Sequence, residues 1–222
     1  MPKYTINHTV YMNDSDVEVP SVTTIIKLLN KPSITRWANY MGFKHIYVKD
    51  ILEETSRFGT LIHYIINLII NDKKLDITLH HRDKFKVYSI LDKFLSWYKS
   101  HEVKPILTEE KLVTDTFGGT VDFYGIVDGK YTIVDFKTSK SIHLTMFIQL
   151  ALYCILLEKK GYKIDQVMIL SLGSEKYKTK LMTRKELEPY VKIGLLLVDL
   201  FHYYYDICKS GNWNDFNELL KG

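Results

Sequence analysis

Cysteine is scarce. The 222 residues contain two, Cys154 and Cys208. Two thiols cannot hold an iron–sulfur cluster or fill a four-thiolate zinc site. Both fall in apolar helical patterns, which points to buried thiols in a reducing compartment. Long apolar runs are also missing. Ala151 to Leu157 stops at Glu158, and Leu195 to Val198 stops at Asp199. Neither approaches the roughly 20 residues of a membrane span, so no membrane contact is expected. Met1-Pro2-Lys3-Tyr4-Thr5 shows neither an apolar signal core nor an Arg-rich amphipathic stretch, so the expected location is cytoplasmic. Proline (5) and glycine (11) are few and unclustered, and no repeat or low-complexity tract interrupts the chain. The expectation is one domain over 1–222.

What is present is an ordinary globular composition, with 46% hydrophobic and 25% charged residues, which excludes a disordered chain. The net charge of +4 is too mild to demand a polyanionic partner. Its distribution says more. Between Lys159 and Lys185 stand 8 basic residues, among them Lys176, Lys178 and Lys180, against only Asp165 and Glu175. Such a patch suits nucleic acid. Lysines along an edge strand that discourage aggregation would give the same pattern.

Hydrophobic periodicity divides the chain into three regions. Residues 1–102 read as mainly helical. One helix opens at Pro20-Ser21 and runs through Leu29. A second is N-capped by Ser33 and runs towards Ser56. A third follows Gly59, and a fourth covers Lys84 to His101. Residues 103–182 read as a sheet with one helix. Its strands lie near 106–114, 119–127, 131–138, 166–172 and 176–182, and its helix covers 142–160. Residues 183–222 read as a long helix over 184–209 and a short one after Trp213. The pattern predicts an α/β fold with a mixed central sheet flanked by helices.

The chemistry concentrates on one hairpin. An acidic-x-Lys pattern occurs 6 times: Asp72/Lys74, Glu102/Lys104, Glu109/Lys111, Asp128/Lys130, Asp135/Lys137 and Glu158/Lys160. Only Asp135-Phe136-Lys137 ends an apolar strand within reach of a second carboxylate. Asp128-Gly129 is a hairpin-turn signal. A two- or four-residue loop there places Asp122 directly opposite Asp135, with Lys137 on the same face; a three-residue loop would break that register. Like charges directly opposite destabilise a sheet unless something cationic lies between them. Two hard carboxylates suit Mg²⁺ or Mn²⁺ with a phosphate substrate, and a neighbouring lysine suits stabilisation of phosphate charge or activation of water. The alternative is a solvated acidic face neutralised by Lys137. A lone histidine on an apolar helix, as His63 is, reads more often as a core residue than as a ligand. Gln149 and Tyr153, one helical turn apart, share a face that can reach a strand end.

Taken together, these residues resemble the PD-(D/E)xK nuclease superfamily in its RecB-like branch. The resemblance rests on Gly59-x3-His63, Glu110, Gly119-Thr120-Val121-Asp122, Ile133-Val134-Asp135-Phe136-Lys137-Thr138-Ser139 and Gln149-x3-Tyr153. Pro20-Ser21-Val22-Thr23-Thr24-Ile25-Ile26, followed by Arg36-Trp37, is similar to the N-terminal region of mitochondrial genome maintenance exonucleases and related phage exonucleases. The resemblance implies a restriction-endonuclease-like sheet with a helical N-terminal region over the active site. It implies His63, Asp122, Asp135 and the Phe136 carbonyl as metal ligands, with Glu110 as a further acidic position. Lys137 would be the catalytic lysine, and Gln149 and Tyr153 orienting residues. Ser21, Thr23, Arg36 and Trp37 would meet substrate, along with Lys176, Lys178 and Lys180 of the basic segment. Val121 stands where the superfamily's name has proline, and the four-cysteine cluster of the CRISPR-adaptation relatives is missing. The implied function is a Mg²⁺- or Mn²⁺-dependent DNA exonuclease acting on single strands from an end, in replication, recombination or repair. The rivals are a duplex endonuclease of the same fold and an inactive nucleic-acid-binding module.

Overall fold

A computed structural model of the chain describes residues 9–29, 32–74, 79 and 81–211. The short helix expected after Trp213 lies outside them. Two short strands, β1 (Tyr11–Met12) and β2 (Glu18–Val19), form an antiparallel pair at the start. Four helices follow: α1 (Val22–Ile26), α2 (Pro32–Phe43), α3 (Val48–Ile70) and α4 (His81–Ser100). The sheet strands are β3 (Val103–Val113), β4 (Gly118–Val127), β5 (Lys130–Lys137), β6 (Gln166–Ser171) and β7 (Lys178–Thr183). Helix α5 (Leu144–Lys159) connects β5 to β6, and α6 (Glu188–Gly211) follows β7.

The five strands are ordered β3-β4-β5-β6-β7, antiparallel except for the β5–β6 pair. That pair is parallel because α5 carries the chain back across a sheet face, as a parallel connection requires. The expected mixed α/β sheet flanked by helices is therefore the observed architecture. The β4–β5 turn has Asp128 at φ 49° and Gly129 at φ 79°, both left-handed as a tight hairpin demands. Val127 then pairs with Lys130 and the register runs on to Phe123 opposite Val134.

Alternation along β5 sends its side chains to two cores. Ile133 joins α1, α5 and α6 on one face; Val134 and Phe136 join α3 and α4 on the other. Helix α5 is buried nearly all round, including Leu150, Ala151, Cys154 and Leu157. It lies between the sheet and α6, where Gly194 of α6 meets Leu152 so closely that an added Cβ would stand 3.0 Å from it.

The helical region differs from expectation at one joint. The helix expected to run from Ser33 towards Ser56 is two helices, α2 and α3. The stop is a hydrogen-bonded reversal: the Ile46 N–H donates to the Met41 carbonyl (3.1 Å) and the His45 N–H to that of Gly42 (3.0 Å). His45 takes the left-handed conformation at φ 55°, a position usually given to glycine. Gly59, expected to precede a new helix, lies inside α3. An added Cβ there would be 3.9 Å from Thr138 Oγ1, so its surface approaches the chain just beyond β5.

Candidate metal centre

The centre forms where β4 and β5 part company. Their pairing ends at Phe123 opposite Val134. Beyond it the Phe136 N–H has no β4 carbonyl to donate to and donates instead to Asp122 Oδ2, at 2.9 Å. In an extended strand the carbonyl of a residue points to the same edge as its N–H. The Phe136 carbonyl therefore opens towards the same gap.

His63 reaches that gap from α3. Its Nδ1 lies 3.3 Å from Asp122 Oδ1 and 3.7 Å from Glu109 Oε1. The ring packs edge-on against Phe136, with centroids 6.2 Å apart. Glu109 comes from β3. The pairs Thr108–Phe123 and Glu110–Val121 bracket it, so it stands level with Asp122. His63, Glu109 and Asp122 offer one ligand atom each, all within 4.8 Å of one another, so this cluster can hold a metal ion.

Asp135 and Lys137 flank the cluster. Lys137 Nζ lies 2.8 Å from both Asp135 oxygens, but only Oδ1 receives it in hydrogen-bonding geometry. Asp135 Oδ2 is buried and has no donor. Lys137 also donates to Gln149 Oε1 (3.1 Å), and Gln149 Nε2 donates to the Tyr153 hydroxyl (2.8 Å). One turn of α5 thus holds the ammonium in place.

The charges are strongly interdependent. Burial alone would push the His63 imidazolium down, but Asp122 and Glu109 beside it carry its pKa up to about 10. Burial would raise Asp122, yet His63, Lys137 and the Phe136 N–H hold it below the ordinary value. Asp135 goes the other way: burial and neighbouring Asp122 outweigh Lys137 and push it to about 6. Lys137 is lowered by burial but raised overall by the two aspartates. Burial and those same aspartates hold the Tyr153 hydroxyl protonated, well above its usual value.

A divalent cation fits this donor set. Asp135, buried with the Lys137 ammonium 2.8 Å away, adds a further carboxylate beside the cluster. With His63 neutral, the three carboxylates and one ammonium leave two negative charges, the complement of a divalent ion.

The surrounding cleft has a volume of about 420 Å³, with Tyr11, Ser21, Thr23, Lys111, Thr120, Gln149 and Tyr153 among its lining residues. The Tyr11 and Thr120 hydroxyls are 2.8 Å apart. Ser21 caps α1 by accepting the Thr24 N–H at 3.0 Å.

The structure therefore brings together His63, Asp122, Asp135, Lys137, Gln149, Tyr153, Ser21 and Thr23. It does not bring Glu110, which is exposed on β3 because successive residues of a strand face opposite ways. Glu109 takes the place expected for Glu110. Arg36 is exposed and Trp37 half-buried on α2, and neither lines the cleft. Lys176, Lys178 and Lys180 are exposed at the far edge of the sheet. Lys178 is level with Lys137 through Ser171, two strand spacings or roughly 10 Å away. Glu109, Lys111, Tyr11 and Thr120 were not singled out from sequence. A signal existed for the first two, since Glu109/Lys111 is one of the acidic-x-Lys copies.

Among known proteins, no family model and no curated protein matches the chain. Similar solved structures include the crystal structure of SSO0001, at 13% identity and TM-score 0.41, covering 88% of this chain and 80% of that one. They also include an alkaline exonuclease (LHK-Exo) from Laribacter hongkongensis, at 10% identity and TM-score 0.35, covering 87% and 94%. LHK-Exo in complex with dAMP aligns at 12% identity and TM-score 0.32, covering 67% and 84%. Among the described residues, no helix is long and apolar enough to cross a membrane.

Proposed function

We propose that the protein is a divalent-metal-dependent nuclease, with the whole chain as the nuclease unit. In its finer form the reading is a cytoplasmic DNA exonuclease that hydrolyses single strands from an end in replication, recombination or repair. The observation that carries it is the cluster of His63, Glu109 and Asp122, with the buried Asp135–Lys137 ion pair beside it.

Mg²⁺ or Mn²⁺ held by His63, Glu109, Asp122 and Asp135, with the Phe136 carbonyl as a further oxygen, would polarise a scissile phosphate and lower the pKa of a bound water. The other roles belong to the chain itself. Lys137, fixed by Asp135 and Gln149, presents a full positive charge to the phosphate oxygens as negative charge builds on them. Tyr153 stays protonated and holds Gln149, so the ammonium is oriented before substrate arrives. Ser21, Thr23 and Thr120 offer hydroxyls, and Lys111 a charge, to the neighbouring backbone.

Single strands are favoured by the aromatic surface of the helical region. Tyr40, Phe43 and Tyr47 are 56, 87 and 67% exposed, and Lys44 lies 4.6 Å over the Tyr40 ring. Exposed rings among cations suit stacking on unpaired bases, at about 1–3 kcal/mol per base.

The test is digestion of end-labelled linear single strands, circular single strands of the same sequence and a blunt duplex, in Mg²⁺ or EDTA. Loss of the linear strand alone, and only with metal, is expected. Cutting of the circle would show internal cleavage, preference for duplex would favour the endonuclease rival, and binding without cleavage would leave a nucleic-acid-binding module.

A further inference from the structure

Two ammonium groups line the cleft, and they differ in their partners. Lys137 is paired with Asp135 and held by Gln149. Lys111 is exposed on β3, and its ammonium has no ion pair or hydrogen bond among the described residues. It stands directly opposite Thr120 of β4, so the two side chains share a face. On the same ladder Glu109 stands level with Asp122. An acidic rung that belongs to the metal centre is thus followed, two residues along, by a rung with an ammonium and a hydroxyl. Tyr11 reaches that second rung from β1. It is buried, and its ring lies so close over Gly118 that an added Cβ there would stand 2.7 Å from it. The Tyr11 and Thr120 hydroxyls are 2.8 Å apart, and either can donate to the other. Whichever donates, the second keeps an O–H for an outside acceptor.

We propose that Lys111, Thr120 and Tyr11 form a subsite for one phosphate of a single strand, the phosphate next to the one at the metal centre. The proposal rests on the nuclease reading above and assigns the contact to a single linkage. Two residues of a strand span about 6.6 Å, close to the separation of successive phosphates along an extended single strand. A phosphate held at the Glu109–Asp122 rung therefore sets its neighbour over the Lys111–Thr120 rung. The ammonium supplies charge there, and the remaining O–H supplies a directed bond. The order of the rungs also fixes the side. The neighbouring phosphate lies towards Gly118 and the β1–β2 pair, away from the β4–β5 turn. Tyr11 acts through its hydroxyl, and its packing on Gly118 holds that hydroxyl in place before the strand arrives.

Two measurements on the full chain test the proposal. The first is the salt dependence of single-stranded oligonucleotide binding in EDTA, read by fluorescence anisotropy. Lys111→Ala should lower the slope of log affinity against log salt by about 0.7, the loss of one single-strand phosphate contact. Tyr11→Phe keeps the ring over Gly118 and should weaken binding about fivefold with the slope unchanged. Lys130→Ala, at the β4–β5 turn, should change neither. The second is single-turnover cleavage in Mg²⁺ of strands carrying one uncharged methylphosphonate linkage. Placed next to the cleaved bond, that linkage should slow the wild type on the order of tenfold and Lys111→Ala hardly at all. Placed farther away, it should affect both proteins equally. An unchanged salt slope in Lys111→Ala would overturn the subsite, as would an equal methylphosphonate penalty in both proteins. A wild type that cleaves with no such coupling refutes the subsite and leaves the nuclease reading standing. A wild type that binds but never cleaves refutes the nuclease reading, and the salt slopes then decide the subsite.

Discussion

Gly119→Ala is expected to damage the candidate metal centre without touching a ligand. A Cβ at Gly119 would stand 2.7 Å from Tyr153 Cε1, 3.1 Å from Val22 Cγ2 and 3.3 Å from Leu156 Cδ1. Ordinary contact begins near 3.4 Å, so the Tyr153 ring must retreat by about 0.7 Å. It has little room, being 4% exposed on a helix buried nearly all round. Overpacking of this kind costs roughly 1–3 kcal/mol, which for a chain of this size lowers Tm by about 2–4 °C per kcal/mol. The retreat also stretches the 2.8 Å bond from Gln149 to the Tyr153 hydroxyl and, through Gln149, loosens Lys137. A displacement approaching 1 Å in a catalytic group costs on the order of 100-fold in rate. The expected variant melts a few degrees lower, binds Mn²⁺ almost as well, and turns over about 10- to 100-fold more slowly. Thermal melts, Mn²⁺ titration and single-turnover cleavage measure the three quantities. Wild-type turnover together with wild-type Tm would refute the argument that Tyr153 packing positions the lysine.

Asp122→Asn and Asp135→Asn should each abolish cleavage and weaken Mn²⁺ binding in calorimetric titration, while Lys137→Ala should lower kcat by about 100-fold or more with metal affinity retained. Glu109→Gln should weaken metal binding and Glu110→Gln should leave it unchanged, because only Glu109 lies beside His63; equal effects would mean the β3 register plays no part. In EDTA, His63 should couple stability to pH. Its folded pKa, about 10, is above the ordinary 6.5, so the stabilisation is fully present below about 6.5 and is lost as pH rises towards about 10. Thermal melts across that range should fall for the wild type and flatten for His63→Gln; a parallel fall in both would assign the slope to other groups.

How far the fold was legible depends on how local each determinant is. The β4–β5 register follows from Asp128-Gly129, two adjacent residues whose left-handed conformations close a tight turn. The helix α5 and the strands beside it follow from period alone. The α2–α3 break was hidden for an equally local reason. The chain reverses at His45, a position glycine usually takes, while the glycine present, Gly42, lies inside the last turn of α2 and does not mark the reversal. A single helix over that stretch was the natural expectation from an uninterrupted helical pattern.

The candidate site divides along the same line. Asp122, Asp135 and Lys137 belong to one hairpin, and turn geometry relates them before any tertiary contact is known. Glu109 belongs to the neighbouring hairpin, whose connection, residues 114–117, carries no two-residue turn signal. Its register also shifts between Pro105 and Leu107. A one-residue uncertainty there exchanges Glu109 for Glu110, which is the error a strand of period two makes possible. Lys111 follows from Glu109 by the same alternation. The acidic-x-Lys copy set aside as a decoy thus places its carboxylate beside His63 and its ammonium on the cleft wall. Spacing alone could not rank the copies, because an acid and a lysine two residues apart on any strand share a face. What distinguishes Asp135/Lys137 from Glu109/Lys111 is burial. Asp135 is 1% exposed with an oxygen lacking a donor, whereas the Glu109 side chain is 31% exposed and meets solvent. Two such pairs thus stand on opposite sides of Asp122, one buried and one open to solvent, where the sequence reading keeps one.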